Sequence, residues 1–437
     1  MKRTALFALA ALCLAAPLYA GSGKIEKKNR KIRDHYLVMF DDSFQPNVKQ
    51  LTKELGGKHA IKILSVWEDG VRGMAIETTE KVAEVIARDP RVASIEEDQE
   101  IDLDCVGDCR NKQLSSRCAD GKVPWQLDRI DQRALPMDNK YISCASGHGE
   151  GVRAYVVDSG VVQLHTDFFD ANGVTRVVTG RNFTSIAGPF DTEDCMSHGT
   201  AAASVLAGLT GGVAKAATIV PVKVKDCNDG GSNQKIIDAL NWIIQDHQTG
   251  QPAVANISLQ AAGGTSTLMD TAVNNLIADG VFVAISAGNN NTNACNYSPS
   301  RVPNAFVVGA TTRTDARALS GGGSNYGPCV TMYAPGEGIG SAQYNSLCCL
   351  NCNPGWGLTS MAAPAAAGVA AVIYQNAGYL TPAQIKQMII DRATLNVVTG
   401  LPASPASFNR LLYAAEPMWC QPIGMCYSPP PCTPPES

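Results

Sequence analysis

From residue 123 onward the chain repeats one pattern: a short, almost wholly apolar run, then a segment with helical spacing. The apolar runs are RAYVVD, ATIVPVKV, AVANISL, VFVAISA and AFVVGAT; the helical segments are TAAASVLAGL, NQKIIDALNWIIQDH and TLMDTAVNNLIADG. A strand that is apolar on both faces must be covered on both faces. The alternation therefore calls for an α/β fold, a mainly parallel sheet with helices on each side. In such folds reactive groups and ligands gather beyond the carboxyl ends of the strands, which is where functional residues are to be sought.

Ahead of this region lies a smaller unit. HYLVMF alternates like a strand, QPNVKQLTKEL has helical spacing, and IKILSVWEDGVRGMAIET reads as two strands around an Asp-Gly turn. KVAEVIARD is a second helix and RVASIEED a last strand. The order β-α-β-β-α-β within residues 35–103 predicts a small α+β ferredoxin-like module. Residues 24–34 read as a charged tether to it. A polar, cysteine-bearing connector covers residues 105–122, the larger unit spans 123–414, and a Pro/Cys-rich tail fills 415–437.

The N-terminus bears on destination. Lys2 and Arg3 precede the apolar run TALFALAALCLAAPL, with small residues at Ala20 and Gly21. Residues 1–20 read as a signal peptide, so the mature chain is expected to be secreted and extracellular. No later segment has the length and apolar character of a membrane span. The formal net charge of −4 offers no basic field for nucleic acid. Of 15 cysteines, Cys13 leaves with the signal peptide, and the remaining even number in an oxidising compartment points to disulfides. Neither Cys105 and Cys109 nor Cys348, Cys349 and Cys352 have zinc-site spacing, so no metal site is assigned. The sequons at Asn182, Asn256, Asn290 and Asn296 are weak signals, and Asn256 falls in a predicted core strand.

Four residues stand at strand ends or helix starts. Asp158 closes RAYVVD, His198 opens the helix in SHGTAAASVLAG, Asn289 follows VFVAISAG, and Ser360 precedes the run AAPAAAGVAAVIY. Singly each has a plain reading: a turn carboxylate, a buried bonded histidine, a turn amide, a helix cap. Together they supply what acyl transfer requires. A serine hydroxyl needs a base, the base needs a carboxylate to fix its tautomer, and the developing oxyanion needs a donor placed in advance.

VVDSG, SHGT, SAGN and TSMAAP, in the order Asp, His, Asn, Ser, resemble the subtilisin-like serine proteases, whose triad runs in that chain order. SAGNNN, NYSPS and PWQLDRI further resemble the proteinase K branch, and the 35–103 module resembles the inhibitory propeptide of the family. The resemblance implies a secreted, self-processed serine endopeptidase, with residues 21–104 acting on their own chain as inhibitor and folding chaperone. It implies Asp158, His198 and Ser360 as the triad and Asn289 in the oxyanion hole. It also implies a substrate groove between segments around Gly230 and Gly231 and around Ser258, Leu259 and Gln260. Ala287 and Gly288 would form a further wall, with Tyr297 near the pocket floor. Polypeptides would be the substrates of a monomer that needs no cofactor. No acid lies in residues 286–299, so an apolar or aromatic primary residue is expected rather than Arg or Lys.

The sequence departs from the family pattern at four places. Leu358 and Gln260 stand where glycine is usual, and Ala201 where a larger residue often follows HGT. Calcium is possible, but Thr331 occupies the position from which the family supplies a carboxylate, and hard cations want one. Leu358 is expected either to strain the backbone or to narrow the groove. Leu358 and Gln260 also motivate an alternative, a catalytically inactive peptide-binding member of the family.

Overall fold

The computed structural model describes residues 23–44, 47–103, 123–141, 148–186, 188, 190–228, 230–344, 357–377 and 380–414. The proposed signal peptide, the 105–122 connector, the 415–437 tail and the cysteines at 105, 109, 348, 349 and 352 lie outside the described residues.

The N-terminal module runs β1 (Ile25–Glu26), β2 (Lys31–Phe40), α1 (Val48–Lys58), β3 (Lys62–Trp67), β4 (Gly73–Glu77), α2 (Glu80–Ile86), β5 (Val92–Gln99) and β6 (Ile101–Leu103). Its sheet has the order β1-β5-β2-β4-β3, the ferredoxin-like arrangement expected. Tyr36, Val38, Leu51, Leu55, Ile76 and Ile86 share its core. The start of the chain corrects the tether reading. Ile25–Glu26 pairs parallel with β5, and β2 begins at Lys31. Lysines at 24–31 disguised these strands, because their ammonium groups sit on an acid-lined edge: Lys28 and Lys31 reach Glu96 and Glu97.

The second module opens with α3 (Trp125–Ile130). It continues β7 (Arg153–Asp158), β8 (Arg181–Asn182), α4 (His198–Ala207), β9 (Thr218–Lys223), α5 (Asn233–Asp246), β10 (Ala253–Ile257), β11 (Leu259–Ala261), α6 (Thr267–Ala278) and β12 (Phe282–Ser286). It closes with β13 (Phe306–Thr311), β14 (Met332–Pro335), α7 (Thr359–Ala377), α8 (Pro382–Arg392), β15 (Thr394–Leu395) and β16 (Arg410–Leu411). The nine-stranded sheet is ordered β15-β16-β14-β13-β12-β10-β7-β9-β8. Every pairing in it is parallel except β15 with β16.

Alternation along β7 shows why the strands are apolar throughout. Ala154 and Val156 enter one core with α4 and α7, while Tyr155 and Val157 enter the other with α5 and α6. The chain leaves β7 for β9 on one side and returns to β10 on the other, which opens a crevice at the carboxyl end of β7. Two disulfides lie among the described residues, Cys195–Cys227 and Cys295–Cys329.

Candidate active site

Asp158 is the last residue of β7, and His198 is the first of α4. The His198 Nδ1 atom lies 2.8 Å from Oδ1 and 2.9 Å from Oδ2 of Asp158. A carboxylate can only accept, so the proton of the neutral ring sits on Nδ1 and the basic lone pair on Nε2. Both side chains are fully buried, and the Ser159 N–H also donates to Asp158 Oδ1 at 2.7 Å.

The approach of α4 to β7 depends on Gly199. A Cβ there would lie 2.1 Å from the Gly160 carbonyl and 3.1 Å from Asp158 Cβ, so any side chain would push the histidine off its carboxylate. A residue missed in the sequence, Asp194, sets the turn before the helix. Its Oδ1 accepts from Ser159 Oγ and the N–H groups of Met196 and Ser197, and its Oδ2 from Thr200 N and Oγ1. Asp194 is buried, so these bonds replace lost hydration. A carboxylate three residues before SHGT was its only signal.

Ser360 is the second residue of α7. Helix geometry would pair its carbonyl with the N–H of residue 364, but Pro364 has none. That carbonyl instead accepts from Ser258 Oγ at 2.8 Å, and Ser258 Oγ accepts from Asn256 at 3.0 Å. The start of α7 is thereby tied to the end of β10. It is tied to the end of β12 as well: Asn289 Oδ1 accepts from Thr359 N at 3.2 Å and Thr359 Oγ1 at 2.7 Å. With Oδ1 so engaged, the Asn289 amide presents its N–H₂ end on the other side. The predicted residues thus fall into two bonded groups, Asp158 with His198, and Ser258 and Asn289 with the Thr359–Ser360 turn.

Leu358 has φ +72°, so the backbone strain expected of it is present. Its side chain does not narrow the groove; it is fully buried in the core that holds Ala310, Ala334 and Met361. Of the two departures that motivated an inactive chain, Leu358 therefore sits beneath the site rather than across it.

Strand β6 of the N-terminal module pairs antiparallel with β11: Leu103 with Leu259, Asp102 with Gln260, Ile101 with Ala261. On its other side the Ile101 N–H donates to the Gly231 carbonyl at 3.3 Å, and Glu100 bridges Ser232. An extended segment therefore lies between the two edges predicted for a groove, around Gly230–Gly231 and Ser258–Gln260. Gly230 is held by Asp226, whose Oδ1 accepts its N–H at 2.9 Å. The opposite wall, Ala287 and Gly288, is braced by the buried Asn325, a second residue the sequence reading missed. Asn325 donates to the Ala287 carbonyl and accepts from the N–H groups of Asn290 and Thr292. Tyr297 follows a short turn whose next residue, Ser298, accepts from the Ala261 N–H.

A second histidine–carboxylate pair gives a contrast. His247 Nδ1 lies 2.6 Å from Asp279, but Nε2 is 2.8 Å from the Gln251 carbonyl, so neither nitrogen is left for a base. The Thr331 hydroxyl accepts from the Val307 N–H at 3.3 Å between strands. Among the described residues no group of three or more His, Cys, Asp or Glu is arranged to hold a metal. Of the sequons, Asn182 spends its amide N–H groups on Ile186 and Gly188, and Asn256 is fully buried.

The family model described as the subtilase family matches residues 149–410, and that described as peptidase inhibitor I9 matches residues 25–104. The chain is 42% identical over 357 residues to an extracellular serine proteinase of Thermus sp. (strain Rt41A), covering 82% of this chain and 79% of that one. It is 36% identical over 401 residues to alkaline serine exoprotease A of Vibrio alginolyticus, covering 89% and 69%. Among solved structures, a cold adapted subtilisin-like serine proteinase matches with a TM-score of 0.60 and 40% identity, covering 67% of this chain and 99% of that one.

Proposed function

Because the chain belongs to the subtilase family and carries a peptidase inhibitor I9 module ahead of its catalytic one, we propose that this serine endopeptidase works through Ser360, His198 and Asp158. In that reading Ser360 Oγ attacks the scissile carbonyl carbon while its proton passes to His198 Nε2. Asp158 holds the Nδ1 proton and stabilises the imidazolium. The oxyanion is received by the Asn289 amide and the Ser360 N–H, with the positive end of α7 behind them. Collapse breaks the C–N bond, His198 gives its proton to the leaving amine, and water then repeats the sequence on the acyl-enzyme. No step calls on a cofactor.

The observation that carries this reading is the pairing of His198 Nδ1 with both oxygens of a buried Asp158. The bonds from Thr359 to Asn289 and from Ser258 to Ser360 support it, since they hold the donor and the hydroxyl-bearing turn in one frame. Peptides are the substrates, bound as an added strand between Gly230–Ser232 and Ser258–Gln260. The antiparallel lie of β6 against Leu259–Ala261 supports that mode and makes residues 21–104 an inhibitor that blocks the groove as a substrate would fill it. We further read the chain as exported through residues 1–20 and active as a monomer. Among the described residues no helix is long and apolar enough to cross a membrane.

The test is labelling by a fluorophosphonate probe followed by peptide mapping. The adduct is expected on Ser360, and none on a Ser360→Ala variant; a folded wild-type protein that takes no label would overturn the reading.

A further inference from the structure

We propose that Gln260 shortens the pocket receiving the side chain on the N-terminal side of the cleaved bond, and that its Oε1 accepts a hydrogen bond from that side chain. The inference rests on the peptidase reading above. Gln260 lies on β11, the edge strand paired with Ile101–Leu103, yet its side chain leaves that edge and crosses to the opposite wall. Its Nε2 donates to Asn290 Oδ1 at 2.8 Å, and the Asn290 N–H is itself fixed by Asn325. Between the two ends the carboxamide passes close against Gly288, where an added Cβ would stand 2.4 Å from Gln260 Oε1. The two walls of the primary pocket, Ser258–Gln260 and Ala287–Asn289, are therefore bridged by a polar strut.

The strut has an unmet acceptor. Gln260 is 4% exposed, and among the described residues its Oε1 has no hydrogen-bond partner. A buried acceptor left unpaired is costly, and a substrate donor reaching it removes that cost. A long aromatic side chain, by contrast, must break the Gln260–Asn290 bond to enter and still leaves the acceptor unpaired. Sites built to pair a substrate's polar group reject analogues that lack it more strongly than apolar pockets reject size. The substrate class is thus a peptide with a short, donor-bearing residue, Ser, Thr or Asn, before the cleaved bond. This replaces the expectation of an apolar or aromatic residue drawn from the absence of acids.

The experiment compares self-processed wild type, Gln260→Gly and Asn290→Ala on peptide p-nitroanilides that differ only at that position, with Ser, Asn, Ala or Phe. In the wild type kcat/KM for Ser and Asn should exceed that for Phe. Gln260→Gly should raise Phe relative to Ser by about tenfold or more. Asn290→Ala, which keeps Gln260 but releases its far end, should shift the ratio in the same direction by less, and it carries the test if the glycine variant does not fold. Cleavage by all three with the same order of preference would overturn the role of Gln260 alone. A wild type that cleaves nothing and takes no fluorophosphonate label would overturn the peptidase reading with it.

Discussion

At Leu358 two opposing terms meet in one residue. A non-glycine residue at φ +72° stores strain of roughly 1–2 kcal/mol, whereas truncating a fully buried leucine costs about 2–5 kcal/mol. Burial wins, so Leu358→Gly should lower the thermal unfolding midpoint while kcat/KM on a peptide substrate changes little. A higher midpoint, or a lost activity with unchanged stability, would mean that the side chain acts on the groove after all. Asn289 is a different kind of residue, since in the proposed mechanism its donor end matters only when charge develops on the substrate. Asn289→Ala should reduce kcat by about 10²–10³, the size found for an oxyanion-hole asparagine in subtilisin, with KM nearly constant. An equal loss in binding would instead make it a part of the pocket wall.

Among the elements, α7 carries the most consequence, because Pro364 frees the Ser360 carbonyl and Ser258 claims it. Ser258→Ala would leave that carbonyl buried without its donor, at about 1–3 kcal/mol. The variant should unfold at lower temperature and turn over more slowly, whereas full stability and rate would show the bond to be incidental. The apolar runs were legible as strands because burial on both faces leaves no other pattern, and the four candidate residues stood out because each lies at or just beyond an element's end. Asp194 and Asn325 did not, since their work is to pair backbone N–H groups across turns that no local pattern reveals. Lys24–Lys31 misled for a related reason: charge in sequence looks like solvent exposure until the partner acids on β5 are known. The side-chain direction of Leu358 was equally invisible, because φ decides it.

For the molecule as a whole the docking of the two modules is expected to depend on pH. Two acids on β5 reach the starts of two helices: Glu96 accepts from Ser266 Oγ and Thr267 N at α6, and Asp98 from Gln234 N at α5. Burial pushes the Asp98 carboxyl up to about 7, and burial raises Glu96 as well, against the neighbouring Lys28. A carboxyl raised in the docked state binds a proton on docking, so docking is favoured below the ordinary carboxylate range and weakens as pH rises toward 7. Trp67, whose indole N–H donates to Asp238 on α5, is a built-in reporter of this contact. Its fluorescence should show tighter docking at pH 5.5 than at pH 8, and Asp98→Asn should flatten the difference; a steeper or reversed dependence would refute the assignment.

The central claim, that Ser360 with His198 and Asp158 hydrolyses peptide bonds, is tested most directly on the chain's own precursor. Full-length wild type and Ser360→Ala are expressed in parallel and followed by intact mass. The account predicts that the wild type cuts itself between about Leu103 and Val123 while Ser360→Ala stays full length. A folded wild-type precursor that stays whole, or a Ser360→Ala precursor cut at the same bond in purified form, would contradict it.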